Sequence, residues 1–122
     1  MAITTIQKRN KLNIVRRADD PGAGGAYHCY EIVRQSTEEA DFRWIAMIQF
    51  QHGARGEGGS TEGVLDCDLL EIVRDRLAAF QCGDYACKEN EYALRHVEEA
   101  LLWMNKRVED RAERGVLGTN KV

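Results

Sequence analysis

The sequence predicts an α+β fold, a small antiparallel β-sheet of about three strands followed by a C-terminal antiparallel two-helix hairpin. Three observations predict it. In the first half of the chain apolar residues recur at alternate positions, the spacing of half-buried strands. Beyond position 65 two stretches carry apolar residues at helical spacing. Between the two regimes lies a glycine-rich segment, 53–63.

The strands come first. Leu12 and Ile14 begin one run; Tyr27 and Cys29, continued by Glu31-Ile32-Val33, form a second. Between them Asp19-Asp20-Pro21-Gly22 and then Ala23-Gly24-Gly25 spell a turn, because proline presets φ and glycine supplies positive φ. A second polar turn, Gln35 to Asp41, leads to a third run with Phe42, Trp44, Ala46, Ile48 and Phe50 on one face. Its other face carries Ile45 and Met47 before Gln49 and Gln51. The expected sheet packs one face on helices and offers the other to a partner subunit.

The glycine-rich segment matches neither the phosphate-binding P-loop nor the dinucleotide fingerprint, whose glycine spacings it lacks. It reads either as a connector from sheet to helix or as a loop that closes over a ligand. In the second case backbone N–H groups and Arg55 would meet an anion.

The first helix is expected to begin near Asp66, a good N-cap residue, with Asp68 and Glu71 at the positive end of its dipole. Leu69, Ile72, Val73, Leu77 and Phe80 give its apolar stripe, and it ends before Gly83. The second starts around Lys88 to Glu91 and carries Ala93, Val97, Ala100, Leu101, Met104 and Val108. Gly115 suits the residue just past its end. Two helices joined by so short a turn pack antiparallel.

Composition bounds the function. The 122 residues suit a single domain, with the sheet over about 10–52, the glycine-rich loop over 53–63 and the hairpin over about 66–114. A net charge of −3 argues against a bulk nucleic-acid binder, whose affinity comes from neutralising phosphates. Any anion site is therefore a local cluster. Met1 to Lys11 is polar and no apolar run approaches a membrane span, so the expected location is cytoplasmic. Cys29, Cys67, Cys82 and Cys87 contain no CxxC pair; they read as reduced thiols buried like small hydrophobes rather than as metal ligands. His28 and His52 could join a site only through folding. No metal and no cofactor is expected.

The chemistry-bearing residues gather in the C-terminal third. At about 100° per residue, Arg107, Arg111 and Arg114 fall within roughly 60° of one another on the helix surface, so their guanidinium forks can share an anion. The plain alternative is a solvated helix end, in which these arginines pair with Glu109, Asp110 and Glu113. Phe80 and Trp103 either fill the core or, at a helix end, offer a ring for stacking. Asn90 either caps the second helix or presents its amide to a nucleobase edge. Ser36 and Ser60 are the only serines and neither stands in a nucleophile elbow. No catalytic residue is expected; the chain reads as a binder, not an enzyme.

Several segments carry a family resemblance: Ile48-Gln49-Phe50-Gln51-His52-Gly53-Ala54-Arg55-Gly56, Asp75-Arg76-Leu77-Ala78-Ala79-Phe80-Gln81 and Ala86-Cys87-Lys88-Glu89-Asn90. So does the tail from Glu98 through Leu101, Trp103, Lys106 and Arg107 to Arg114-Gly115-Val116-Leu117-Gly118-Thr119. In order and spacing they resemble the phage anti-Thoeris sponges, which are related through their helical hairpin to the anti-CBASS cyclic-oligonucleotide sponges. The resemblance implies sequestration, without cleavage, of a cyclic ADP-ribose-type signal (glycocyclic ADP-ribose) made by TIR-domain defence proteins in an infected bacterial host. Some relatives also bind cyclic di- or trinucleotides. It implies a homo-oligomer, a dimer or a trimer of dimers, with ligand at subunit junctions. Carried onto this chain, Phe80 would stack on the base and Asn90 would make a polar contact. Arg107 with Arg111 or Arg114 would hold the pyrophosphate, and Arg55 would close from the glycine-rich loop. Two other readings stand beside it: a small nucleic-acid-binding regulator, and a structural oligomer whose arginines pair across subunits.

Overall fold

The computed structural model describes residues 1–8, 12–35 and 42–118. Its elements are the expected ones in the expected order: β1 (Asn13–Arg17), β2 (Cys29–Arg34) and β3 (Trp44–Gln49), then α1 (Asp66–Gln81) and α2 (Lys88–Glu113). The chain divides into two compact units, Met1–Val64 and Leu65–Val122.

In the first unit the strands form one antiparallel sheet in the order β1-β2-β3. The β1–β2 connection is the Pro-Gly turn read from sequence. Its three glycines do different work: Gly22 donates to Ala26 O, while Gly24 and Gly25 take φ of 74° and 79°, which side-chain-bearing residues avoid. The second polar turn falls on 36–41, outside the described residues. Val33 on β2 is 2% exposed and anchors the sheet core. A bulge at Ile32/Val33 shifts the register, so that Val33 faces Trp44. The single apolar face expected on the third strand is therefore interrupted. Ala46, Ile48 and Phe50 are half-buried, but Phe42 and Trp44 are exposed. One pairing had no period to announce it: residues 1–3 run along β1, with Ile3 N donating to Val15 O and Arg17 N donating to Met1 O.

The glycine-rich segment is closed at its base. His52 and Thr61 exchange backbone hydrogen bonds of 3.0 and 2.8 Å, and Phe50 bridges Val64. Gly63 is required there by space, since a Cβ would fall 2.4 Å from Gln49 O and from Phe50 C.

In the second unit α1 begins at Asp66, but Asp66 is its first helical residue and not its cap. Leu65 precedes it in extended conformation, and the Asp68 carboxylate accepts from the Leu65 N–H at 2.8 Å. Asp68 serves the helix end from inside the first turn, as in half of a capping box. α2 ends as its glycine predicts. Gly115 takes φ 72°, its N–H donates to Ala112 O and the Val116 N–H donates to Arg111 O, the two bonds of a Schellman stop. Val116, 9% exposed, is the buried apolar residue of that motif.

The hairpin is unequal. α1 has 16 residues and α2 has 26, about 24 and 39 Å of helix. The Arg74 Nε–Glu98 bond of 2.9 Å fixes their register; counting from it, the start of α1 lies opposite Lys106. The last two turns of α2 therefore project past α1. No residue of either helix is fully buried. Leu69, Leu77, Val97, Leu101 and Met104 are half-buried along the seam as predicted, with Leu70 and Leu94 beside them. Ile72, Val73, Ala93 and Val108, placed on the stripes by sequence, are exposed.

Candidate functional site

Two clusters bear the chemistry of the hairpin, and they occupy opposite ends of it. At the turn end, Phe80 is half-buried in the last turn of α1. Its ring meets Tyr85 edge-on at 6.2 Å, and the Arg76 guanidinium lies 5.4 Å from its centroid. Asn90 is the third residue of α2 and not its cap. The cap is Cys87, whose Sγ accepts from the Asn90 N–H at 3.4 Å, while the Asn90 side-chain amide donates to Tyr85 O at 3.3 Å. The Asn90 amide oxygen accepts no bond among the described residues, so the group that could read a base edge is available.

At the other end, Trp103, Lys106, Arg107, Asp110, Arg111 and Arg114 line a shallow cup of about 430 Å³ at the C-terminal end of α2. Lys106 is paired with Asp110 at 2.9 Å. Arg111 donates to Val116 O at 3.1 Å, which ties its guanidinium to the helix stop. Arg107 makes no ion pair or hydrogen bond among the described residues. Lys106 and Asp110 pair with each other, and Arg107, Arg111 and Arg114 are the cup's other cations, in a protein that is acidic overall. Its Trp103 is 64% exposed, so the core-filling alternative for this ring does not hold.

The sequence placed Phe80, Asn90 and the arginines in one site; within one chain they do not meet. Asn90 and Arg107 are separated by 17 helical residues, about 26 Å. That exceeds the reach of a small nucleotide. Arg55 lies in the sheet unit, on the glycine-rich loop. Its Nε donates to Gln51 Oε1 at 3.1 Å and its Nη2 to Gly63 O at 3.0 Å, so it staples the loop that carries it.

Cys29 and Cys67 are half-buried, whereas Cys82 and Cys87 and the two histidines take positions that the sequence does not announce. His28 and His52 stack at 4.0 Å and 8°, a contact between residues 24 apart that no spacing rule reveals. His28 Nδ1 is buried without a partner among the described residues. Cys82 and Cys87 are exposed rather than buried, because the hairpin turn holds them outside the seam. Among the described residues no three His, Cys, Asp or Glu stand where they could share a metal ion. No described helix is long and apolar enough to cross a membrane.

Two comparisons bear on this arrangement. Residues 45–109, the third strand through most of α2, match the Acb2/Tad1 hairpin domain. Over 77 residues the chain is 43% identical to a protein of Bacillus phage SBSphiJ7 described as Thoeris anti-defense 1. That match covers 63% of this chain and 54% of the phage protein, so the chain spans about half the length of the curated relative it resembles.

Proposed function

Since the chain belongs to the Acb2/Tad1 hairpin-domain family, we propose that it is a phage immune-evasion protein that captures the cyclic ADP-ribose-type signal of Thoeris defence, glycocyclic ADP-ribose, and holds it uncleaved in the host cytoplasm. One observation carries the binding site: an unpaired Arg107 in an arginine-lined cup, on a stretch of helix that its own hairpin leaves uncovered. Guanidinium forks bind phosphate oxygens bidentately, and their attraction strengthens when a second surface excludes water.

Such a surface is needed twice over. Asn90, at the Phe80 end of the hairpin, lies about 26 Å along the helix from Arg107, so a small nucleotide touching both residues would lie between two copies. Antiparallel apposition of two hairpins brings the turn end of one to the arginine end of the other. The same apposition covers Ile72, Val73 and Leu102, apolar side chains that a lone hairpin leaves in water. Phe80 then stacks on the base, Asn90 contacts its edge, and Arg107 with Arg111 or Arg114 holds the pyrophosphate. Arg55 is the anion contact that the glycine-rich loop would add, in exchange for its bond to Gly63 O.

Sequestration and turnover differ in what comes back out. The protein is incubated with glycocyclic ADP-ribose, freed of unbound nucleotide and denatured, and the released material is weighed by mass spectrometry. Intact cyclic nucleotide, about one per Phe80–Arg107 pair, is the expected result. A linear product would make the chain an enzyme, and an empty supernatant would end the proposal. Cyclic di- and trinucleotides run in parallel report whether the same protein also takes oligonucleotide signals.

A further inference from the structure

Trp103 has no role in the site as described so far, yet it forms one wall of the arginine cup. We infer that Trp103 is a ring-binding residue of that cup, taking the flat face of the nucleoside whose phosphates lie on Arg107; this rests on the nucleotide-capture reading above.

The geometry supplies the reasons. Trp103 and Arg107 are four residues apart on α2, hence on one face and about 6 Å apart along the axis. That is about the reach of one ribose, the unit that separates a base from its 5′-phosphate. The indole is 64% exposed, and its N–H donates to no group among the described residues. An exposed indole costs apolar surface in water, and such rings are found half-buried with a polar tip engaged when a partner is present. Here the neighbours are cations, so the partner that suits the indole must be flat, apolar on its faces and anionic at its edge. A nucleotide meets all three conditions; a bare phosphate meets only the last. Phe80 of one copy and Trp103 of the other would then hold the two faces of the nucleoside.

The test separates ring from phosphate. Wild type, W103A and W103F are titrated with glycocyclic ADP-ribose and with inorganic pyrophosphate, and the assembled mass of each variant is measured. W103A is expected to lose roughly 10- to 100-fold in affinity for glycocyclic ADP-ribose, the span of one base–aromatic stack. Its affinity for pyrophosphate stays unchanged, and W103F recovers most of the loss. Trp44 and Trp103 are the only tryptophans, so in W44F the remaining emission reports Trp103 alone, and it should quench on saturation with glycocyclic ADP-ribose. Equal losses for both ligands, an unchanged W103A, or an unquenched Trp103 would each overturn the inference while leaving nucleotide capture standing. If W103A changes the assembled mass, the W44F titration decides. Wild-type protein that binds neither ligand overturns both.

Discussion

At the scale of single residues, the sheet unit is organised around a carboxylate that sequence reading passed over. Glu31 accepts from Trp44 Nε1 at 2.7 Å through one oxygen and from Arg16 Nε at 2.9 Å through the other. The indole N–H, then the Arg16 guanidinium, hold its carboxyl below the usual carboxylate range. A depressed pKa in the folded state stabilises the fold above the unfolded value and loses that contribution as pH falls through the folded one. Urea unfolding of wild type should therefore shift to lower midpoints below about pH 4, and E31Q should show a shallower decline over the same range. Parallel pH profiles for the two proteins would mean that the carboxylate does not report folding. Nothing in the local pattern marks Glu31, since its partners lie 13 and 15 residues away. The stacking of His28 on His52 is invisible in the sequence for the same reason. Phe80, Asn90 and the arginines stand out in the sequence as residue types suited to stacking, amide reading and anion binding, and the roles proposed for them rest on that chemistry and on the family resemblance. Their separation along the hairpin is a matter of helix rise, which a face diagram discards.

At the scale of elements, both helices and all three strands were readable because their apolar periods are strong and their stops are glycines at the right places. What remained hidden is whatever the backbone does without a period. Residues 1–3 pair along β1 through main-chain bonds alone. The cap of α2 is a thiol, a weak acceptor that no capping preference names. The bulge opposite Ile32/Val33, where Ile45 is the extra residue of β3, breaks the expected alternation and leaves Trp44 exposed. The glycine-rich segment, which reads as a connector or as a loop that closes over a ligand, is clamped by the His52–Thr61 exchange and by Arg55. Gly63 is the tightest point of that clamp. An added Cβ would lie 2.4 Å from Gln49 O, and the obstruction is backbone, which cannot rotate away. Gly63→Ala should cost the sheet unit about 3 kcal/mol, read as a fall in the urea midpoint. Gly58→Ala, which meets nothing within 4 Å, is the matched control. Equal stability of the two variants would show that the Phe50–Val64 bridge opens without penalty.

At the scale of the whole molecule, the unequal hairpin dictates how a site can be assembled. By the Arg74–Glu98 register α2 runs about 10 Å past the start of α1, and Arg107 and Arg111 stand on that projecting length with Arg114 capping it. A binding site that used one end alone would have either a ring or a phosphate clamp, not both. In the arrangement proposed above, a symmetric pair of antiparallel hairpins would hold two complete sites, each drawing Phe80 from one copy and Arg107 from the other. This arrangement has a consequence that no single-chain site shares. F80A and R107A homo-oligomers each carry one defect in every site, so both should bind glycocyclic ADP-ribose poorly. When the two variants are unfolded together and refolded, half of the pairs are mixed. In a mixed pair one site inherits both defects and the other inherits none. Binding capacity should therefore return to about a quarter of the wild-type value, at wild-type affinity, because the isologous interface exchanges the two ends in trans. A site built in cis has no such route, since every chain in the mixture still carries its own lesion. Refolded mixtures that bind no better than the separate variants would place the ligand within one chain, where the 26 Å between Asn90 and Arg107 leaves no arrangement for a small nucleotide to touch both.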